Sequence, residues 1–151
     1  MLCPPPLLVL VGLGLYIAGL STGHLYPVGP ILLPAPGLRY GVGWGLIGVS
    51  LVWVIVAQWQ MGASWRVGID REHATPLVRD GLFRLSRNPI FLGMMVQVTG
   101  LLLILPDAVV LAIWISSFLL ISVQIRLEEQ HLRARHPIDY PNYAAAVRRW
   151  I

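Results

Sequence analysis

The chain contains no lysine, so all 11 of its basic residues are arginine. Charged residues make up only 12% of the 151 residues, whereas 56% are hydrophobic. A chain this poor in charge has too little polar surface to enclose a soluble domain of its size. The composition therefore excludes an ordinary water-soluble enzyme. It predicts a protein embedded in a lipid bilayer, whose chemistry takes place at or inside the membrane.

Cysteine is nearly absent too, and its scarcity excludes a disulfide framework. The single cysteine, Cys3, cannot form a bond within the chain. Residues 1–38 contain no Lys or Arg, whereas a secretory signal peptide begins with positive charge. We therefore expect the first apolar segment to be retained in the mature protein.

The arginines are concentrated in two blocks, residues 66–87 and 126–149, with Arg39 as the exception. Basic residues that flank apolar segments favour the cytoplasmic side of a membrane. We therefore attribute the net charge of +4 to membrane topology: the positions of the arginines predict that both blocks and both termini lie in the cytoplasm. Nucleic acid is not expected as a partner, because these arginines are interleaved with acidic residues and lie beside apolar segments.

Four apolar segments are predicted to cross the membrane as helices, at about residues 7–20, 40–61, 89–105 and 108–125. Residues 21–38 are rich in proline and glycine and are expected to form a loop. A tight turn at Leu105, Pro106 and Asp107 makes the last two spans a helical hairpin. The fold class is therefore an all-α membrane protein of one domain, residues 1–151. A short cytoplasmic amphipathic helix is expected at about residues 141–150.

Small residues in the second predicted span suggest a close helix contact. Gly41 and Gly45 have the GxxxG spacing, and Gly48 extends the same row. This row predicts the face on which a neighbouring helix approaches. Polar residues of the last two spans are expected to hydrogen-bond between helices; they are Gln97, Thr99, Ser116, Ser117, Ser122 and Gln124.

Polar residues stand at both ends of the predicted hairpin. Asn88 and Pro89 are typical of a helix start, with Asn88 as the N-cap and Pro89 as the first helical residue. Arg87 precedes them, and Glu128 and Glu129 follow the last span. A hairpin would bring both groups to one membrane surface. A carboxylate pair gains nothing from a helix C-terminus, so ion pairs or a cationic ligand should hold it.

Two interpretations of these residues remain open from the pattern alone. The simpler one is a membrane anchor with a helix cap and surface ion pairs. The other is a site for a zwitterion, with the helix N-terminus and Arg87 binding its anion and the glutamates binding its cation. Glu128 and His131 also have a metal-site spacing, but no second such motif follows, and no metal is expected.

Several motifs together resemble the isoprenylcysteine carboxyl methyltransferase family in its short bacterial form. The matching elements are the segment from Gly81 to Gly93, the Arg126-x-Glu128-Glu129-x-x-Leu132 motif, the pair Tyr140-x-x-Tyr143 and the motif Val147-x-Arg149. The resemblance covers the chain from about Leu77 to its end. Its specificity comes from the combination, because each part alone is weak.

The resemblance implies a methyltransferase of the bacterial inner membrane that uses S-adenosylmethionine. The residues expected to bind this cofactor are Asn88, Pro89, Phe91, Gly93, Glu128, Glu129, Tyr140 and Tyr143. The residues expected to act on the substrate are Arg87, Arg126 and Glu128. The expected acceptor is a lipophilic small molecule or a lipid with a carboxylate, thiol or amine group.

Two other functions are compatible with the sequence. Sterol reductases resemble this family in their C-terminal architecture, so an NADPH-dependent membrane reductase is one alternative. A membrane scaffold without enzymatic activity is the other, since it needs only packing and topology. The nucleotide that binds distinguishes the enzymes from each other and from the scaffold.

Overall fold

A computed structural model describes residues 14, 18–19, 35–62 and 77–151. Its described elements are the helices α1 (Pro36–Met61), α2 (Pro89–Ile104), α3 (Ala108–Arg135) and α4 (Asp139–Ala146), with a 3-10 turn at Gly81–Arg84. These residues include no strand. The all-helical class is thus confirmed. Most of the predicted span 7–20, all but residues 14, 18 and 19, and residues 21–34 of the predicted loop lie outside the described residues, so the number of four spans stays a prediction.

Two of the described helices, α1 and α3, are long and apolar enough to cross a membrane. Large hydrophobic side chains project outward from both, including Trp44, Val52 and Ile55 on α1 and Phe118 and Leu119 on α3. A water-soluble protein rarely exposes so continuous an apolar surface. The outward faces of α1 and α3 are therefore suited to contact with lipid.

Helix α2 is shorter than its neighbours. Its 16 residues extend about 24 Å at 1.5 Å per residue, against a hydrocarbon layer of about 30 Å. Helix α3 has 28 residues and extends about 42 Å, so its last turns project beyond the layer. We take residues 108–125 as the spanning part of α3, which places Glu128 and Glu129 outside it.

Helices α1 and α2 pack antiparallel at very short range. A Cβ atom added to Gly100 would lie 2.7 Å from the Gly43 carbonyl oxygen, and one added to Gly43 would lie 2.8 Å from the Gly100 oxygen. Only glycine permits this approach. No described residue comes within 4 Å of a Cβ placed on Gly41, Gly45 or Gly48, so α2 packs on a different side of α1 and the predicted role of this row stays a prediction. Gly43, which lies outside that row, is the glycine that contacts α2.

Two helix boundaries also differ from the sequence prediction. Helix α1 begins at Pro36, inside the predicted loop, because proline is favoured in the first turn, where its missing N–H costs nothing. Helix α4 covers Asp139–Ala146, so the predicted helix 141–150 is wrong at both ends. Val147 has extended backbone angles, and residues 147–151 form a non-helical segment that we call the C-terminal tail.

The hairpin of α2 and α3 is confirmed. Its turn is stabilised by Asp107, whose side chain accepts a hydrogen bond from the Val110 backbone N–H at 2.9 Å. Thr99 bridges the two helices as expected, because its hydroxyl accepts a bond from the Trp114 indole N–H at 2.9 Å. The up-down-up order brings the end of α1, the start of α2 and the end of α3 together. We call this end of the molecule the Glu129 end.

Candidate active site

The start of α2 is held in place from α1. The Trp53 indole N–H donates a hydrogen bond to the Pro89 carbonyl at 2.9 Å. Gln60, near the end of α1, accepts a bond from the Leu82 backbone N–H at 2.8 Å and lies against Gly81, which has a φ of 62°. The loop before α2 is thus tied to the end of α1, which fixes where Arg87 and Asn88 stand.

Asn88 occupies the N-cap position, but its side chain does not cap the helix. Its Nδ2 group donates instead to the Arg149 carbonyl at 3.1 Å. The predicted capping bond is therefore wrong, because a backbone carbonyl of the tail competes for the same side chain. The backbone N–H groups of the first turn of α2 are left without a cap from Asn88, and such groups favour an anion.

The C-terminal tail lies directly along residues 86–88. The Arg87 backbone N–H donates to the Arg148 carbonyl at 3.0 Å, and the Ser86 hydroxyl donates to the Arg149 carbonyl at 3.3 Å. Ser86 also accepts a bond from the Asn88 N–H at 3.1 Å. The two contacts with the tail join residues more than 60 positions apart in the chain. They bring Arg149 to the Glu129 end.

Glu129 is the centre of a group of three charges that we call the ion cluster: Arg87, Glu129 and Arg149. Arg149 donates from Nε to Glu129 Oε1 at 3.0 Å and from Nη2 to Oε2 at 2.7 Å. Arg87 Nη1 lies 3.4 Å from Oε1. The side chains of Glu129 and Arg87 are 7% and 12% exposed, whereas that of Arg149 is 42% exposed. The hairpin therefore does bring Arg87 and Asn88 to the same end as Glu129, as the sequence predicted.

Burial and charge act in opposite directions on the Glu129 carboxyl. Burial alone would raise its pKa, but the hydrogen bond from Arg149 and the charges of Arg87, Arg149 and Arg133 lower the pKa below the ordinary value of 4.5. Glu129 is thus ionised at neutral pH. The neighbouring Glu128 differs, because burial and the charge of Glu129 raise its pKa. Two adjacent carboxyls therefore have different acidities.

The two predicted tyrosines are both buried at this end. Tyr140 is 1% exposed, and burial and the charge of Glu129 raise its pKa against the opposing effect of Arg87. The Tyr143 hydroxyl donates to the Phe83 carbonyl at 2.6 Å, which fastens α4 to the 3-10 turn. Burial, with a smaller contribution from Tyr140, raises the pKa of Tyr143 to about 12. Tyr140 therefore lies beside the ion cluster, and Tyr143 has a structural contact.

The other predicted site residues have different surroundings. Pro89 and Gly93 are buried, and a Cβ added to Gly93 would lie 2.5 Å from the Val54 side chain, so this glycine packs against α1. Phe91 is half-buried and Arg126 is exposed. The Glu128 carboxylate forms no ion pair with a described residue. Roles for these residues in binding or catalysis stay predictions.

Sequence reasoning gave no role to several residues that build the site. Ser86, Trp53 and Gln60 were not singled out for contacts, because their partners are backbone groups that no spacing reveals. Arg149 was part of a family motif only. Its Val147-x-Arg149 pattern was the one signal that the tail belongs to the site.

An apolar groove of about 500 Å³ lies elsewhere, lined by Ala108, Val109, Ala112, Ile113 and Ser116. It is at the start of α3, about 30 Å along the helix from Glu129 at 1.5 Å per residue. The groove offers no charged group for an ionic ligand, so the ion cluster is the better candidate. Within the described part of the chain, no three His, Cys, Asp or Glu side chains are grouped as metal ligands.

Comparison with known protein families identifies this architecture. Residues 38–137 match the family model described as phospholipid methyltransferase. The chain belongs to the phospholipid methyltransferase family. The matched region covers two thirds of the chain and contains all of α2, nearly all of α1 and all of α3. Neither the curated proteins nor the solved structures gave a match.

Membership in the phospholipid methyltransferase family confirms the resemblance inferred from the motifs, since this family includes the isoprenylcysteine carboxyl methyltransferase-like proteins. It indicates a membrane methyltransferase, which agrees with the two apolar helices. The match ends at Pro137, just before α4 and the tail. Arg149 therefore lies outside the region that identifies the family.

Proposed function

We propose that this chain is an integral membrane methyltransferase that uses S-adenosylmethionine. Its acceptor is a lipophilic small molecule or a lipid with a carboxylate, thiol or amine. Both termini lie on the cytoplasmic side, in a bacterial inner membrane. The observation that carries the proposal is the buried ion cluster at the mouth of the α2 and α3 hairpin, in a chain of a methyltransferase family.

The residues at the Glu129 end suit the methionine portion of this cofactor. That portion is a zwitterion, with a carboxylate and an ammonium group. Arg87 has a buried Nε atom without a partner among the described residues, and the first turn of α2 has N–H groups that Asn88 does not cap. Both can bind a carboxylate. Glu129 provides the negative charge for the ammonium group.

S-Adenosylmethionine supplies a methyl group that is already activated by the positive sulfur, so the protein's main tasks are to align the donor and to exclude water. The buried start of α2 and the buried Tyr140 suit the second task. A carboxylate or thiolate acceptor needs no general base. An amine acceptor does, and Glu128 fits that role better than Glu129 because its pKa is raised whereas that of Glu129 is lowered.

The acceptor is expected to reach the site from the lipid. The outward faces of α1 and α3 are apolar along their length, so a lipophilic molecule can approach without crossing a polar barrier. Arg126 and Arg87 are the residues proposed to orient a substrate carboxylate. Arg126 is exposed and forms no ion pair with a described residue, so it is free to do so.

Calorimetry of the purified protein tests the proposal. We expect S-adenosylhomocysteine, the product form of the cofactor, to bind to the wild type. Binding should be lost in Glu129→Ala and in Arg87→Ala. NADPH, titrated in parallel, should not bind.

Three results would count against this function. Binding of NADPH in place of S-adenosylhomocysteine would favour the reductase. Binding of neither nucleotide by a folded protein would favour the scaffold. Unchanged affinity in both variants would place the cofactor elsewhere in the molecule.

A further inference from the structure

The C-terminal tail fills the place at which the proposed cofactor's ammonium group should bind. The Arg149 guanidinium takes both oxygens of Glu129, at 3.0 and 2.7 Å. The Glu129 carboxylate already has one guanidinium at both oxygens and a second, from Arg87, at 3.4 Å, so it has little capacity left for a third cation. A ligand with an ammonium group must therefore compete with Arg149.

Arg149 is the member of the ion cluster that can leave at the lowest cost. Its side chain is 42% exposed, so it needs little rearrangement to reach water, whereas Arg87 is 12% exposed. Its departure would not strand a buried charge, because Arg87 stays 3.4 Å from Glu129. Removing the only partner of a buried charge is costly, but removing one of two partners is much less so.

The way in which the C-terminal tail is attached also allows the Arg149 side chain to move. Arg149 lies two residues from the end of the described chain, in a non-helical segment after α4. Hydrogen bonds from the Arg87 backbone, Ser86 and Asn88 hold the tail's backbone, and none of them involves the Arg149 side chain. The guanidinium can therefore swing away while the backbone stays attached.

We propose that Arg149 is a built-in competitor that occupies the Glu129 carboxylate in the unliganded protein and is displaced by the ammonium group of the methyl donor. This inference rests on the proposed function. The tail then acts as a latch on the site. Affinity for the cofactor depends on the fraction of molecules in which the latch is open.

The sign of a change in affinity tests the latch. If Arg149 competes with the ligand, Arg149→Gln should bind S-adenosylhomocysteine more tightly than the wild type. A latch closed in about nine molecules of ten lowers the apparent affinity about tenfold, so the expected gain is of that order. Arg149→Lys keeps the charge but loses the two-pronged contact, and should lie between the two.

Two controls separate the latch from a general effect of charge. Arg148→Gln removes the same charge from an exposed neighbour that contributes only its carbonyl, and should leave the affinity unchanged. 5′-Methylthioadenosine lacks the amino acid portion of the cofactor and has no ammonium group to compete. Its affinity should be the same for the wild type and for Arg149→Gln.

The outcomes are distinguishable from those for the function itself. If the wild type binds S-adenosylhomocysteine and a folded Arg149→Gln binds it more weakly, Arg149 is a fixed part of the site: the function stands and the latch is refuted. An equal gain for 5′-methylthioadenosine would also refute competition for the carboxylate. Binding by neither the wild type nor any variant would refute the proposed function and the latch together.

Discussion

The ion cluster predicts the order in which three substitutions lower the stability of the folded protein. Glu129→Gln leaves two guanidinium groups facing each other, one of them buried, without the carboxylate between them. Loss of one partner from a buried ion pair costs roughly 3–5 kcal/mol, and the exposure of Arg149 reduces this to about 2–4 kcal/mol. Arg149→Gln should cost about 1 kcal/mol or less, because Glu129 keeps Arg87. Arg148→Gln should change stability by less than about 0.5 kcal/mol.

Thermal unfolding in detergent micelles, followed by tryptophan fluorescence, measures this order. At roughly 2–4 °C per kcal/mol for a chain of this size, Glu129→Gln should lower Tm by about 4–16 °C and Arg149→Gln by a few degrees. Equal Tm values for Glu129→Gln and Arg148→Gln would show that the cluster is not formed in solution. A larger loss for Arg149→Gln than for Glu129→Gln would contradict the claim that Arg87 supports the carboxylate.

The ion cluster should also make the stability of the folded protein depend on pH. Because the pKa of Glu129 is lower in the folded protein than its ordinary 4.5, the unfolded state binds the proton more readily. The stabilisation is therefore fully present above about pH 4.5 and is lost as the pH falls through the lowered folded value. The difference in Tm between the wild type and Glu129→Gln should shrink on acidification. A difference that is constant between pH 7 and the acid limit of folding would refute this assignment.

Three further predictions concern packing, the tyrosines and topology. Gly100→Ala should lower the stability of the folded protein by about 1–3 kcal/mol, because the added Cβ meets the Gly43 carbonyl. Gly45→Ala, which has no described atom near the added Cβ, should leave the stability unchanged. Equal melting temperatures for these two variants would refute the packing. The pKa of Tyr143 in the folded protein is raised to about 12, so the stabilisation that this tyrosine provides is present below pH 10 and is lost between about pH 10 and 12. Ultraviolet titration should show a phenol that ionises near pH 12 in the wild type and is missing in Tyr143→Phe. Persistence of that ionisation in the variant would contradict the assignment. In a chain without its natural cysteine, Leu85→Cys should react with an impermeant maleimide only from the cytoplasmic side and Ala108→Cys only from the other side; reaction of both from one side would refute the hairpin topology.

Sequence reasoning placed the site because its signals are local. Asn88 and Pro89 mark a helix start, and Glu129 follows an apolar segment. A hairpin with a tight turn then leaves only one geometry, in which both groups share an end. Helix existence and pairing thus follow from hydrophobic runs and turn residues, and the structure confirms them for α2 and α3.

The sequence could not supply the rotation of a helix or the choice among competing hydrogen bonds. Gly41 and Gly45 have the spacing of a contact face, yet the described contact with α2 is made by Gly43, because the choice of face depends on the partner helix. Asn88 was expected to cap its own helix, but the Arg149 carbonyl, 61 residues away in the chain, takes its side chain. The error at Asn88 comes from a tertiary contact that overrides a correct local preference.

Ultraviolet cross-linking of labelled S-adenosylmethionine tests most directly whether the methyl donor binds at the Glu129 end. After digestion, the label should be found in peptides from residues 84–93 or 126–149, and excess S-adenosylhomocysteine should prevent the labelling, whereas NADPH should not. Label found instead in the groove at residues 108–116, or label that persists with excess S-adenosylhomocysteine, would contradict the proposed site.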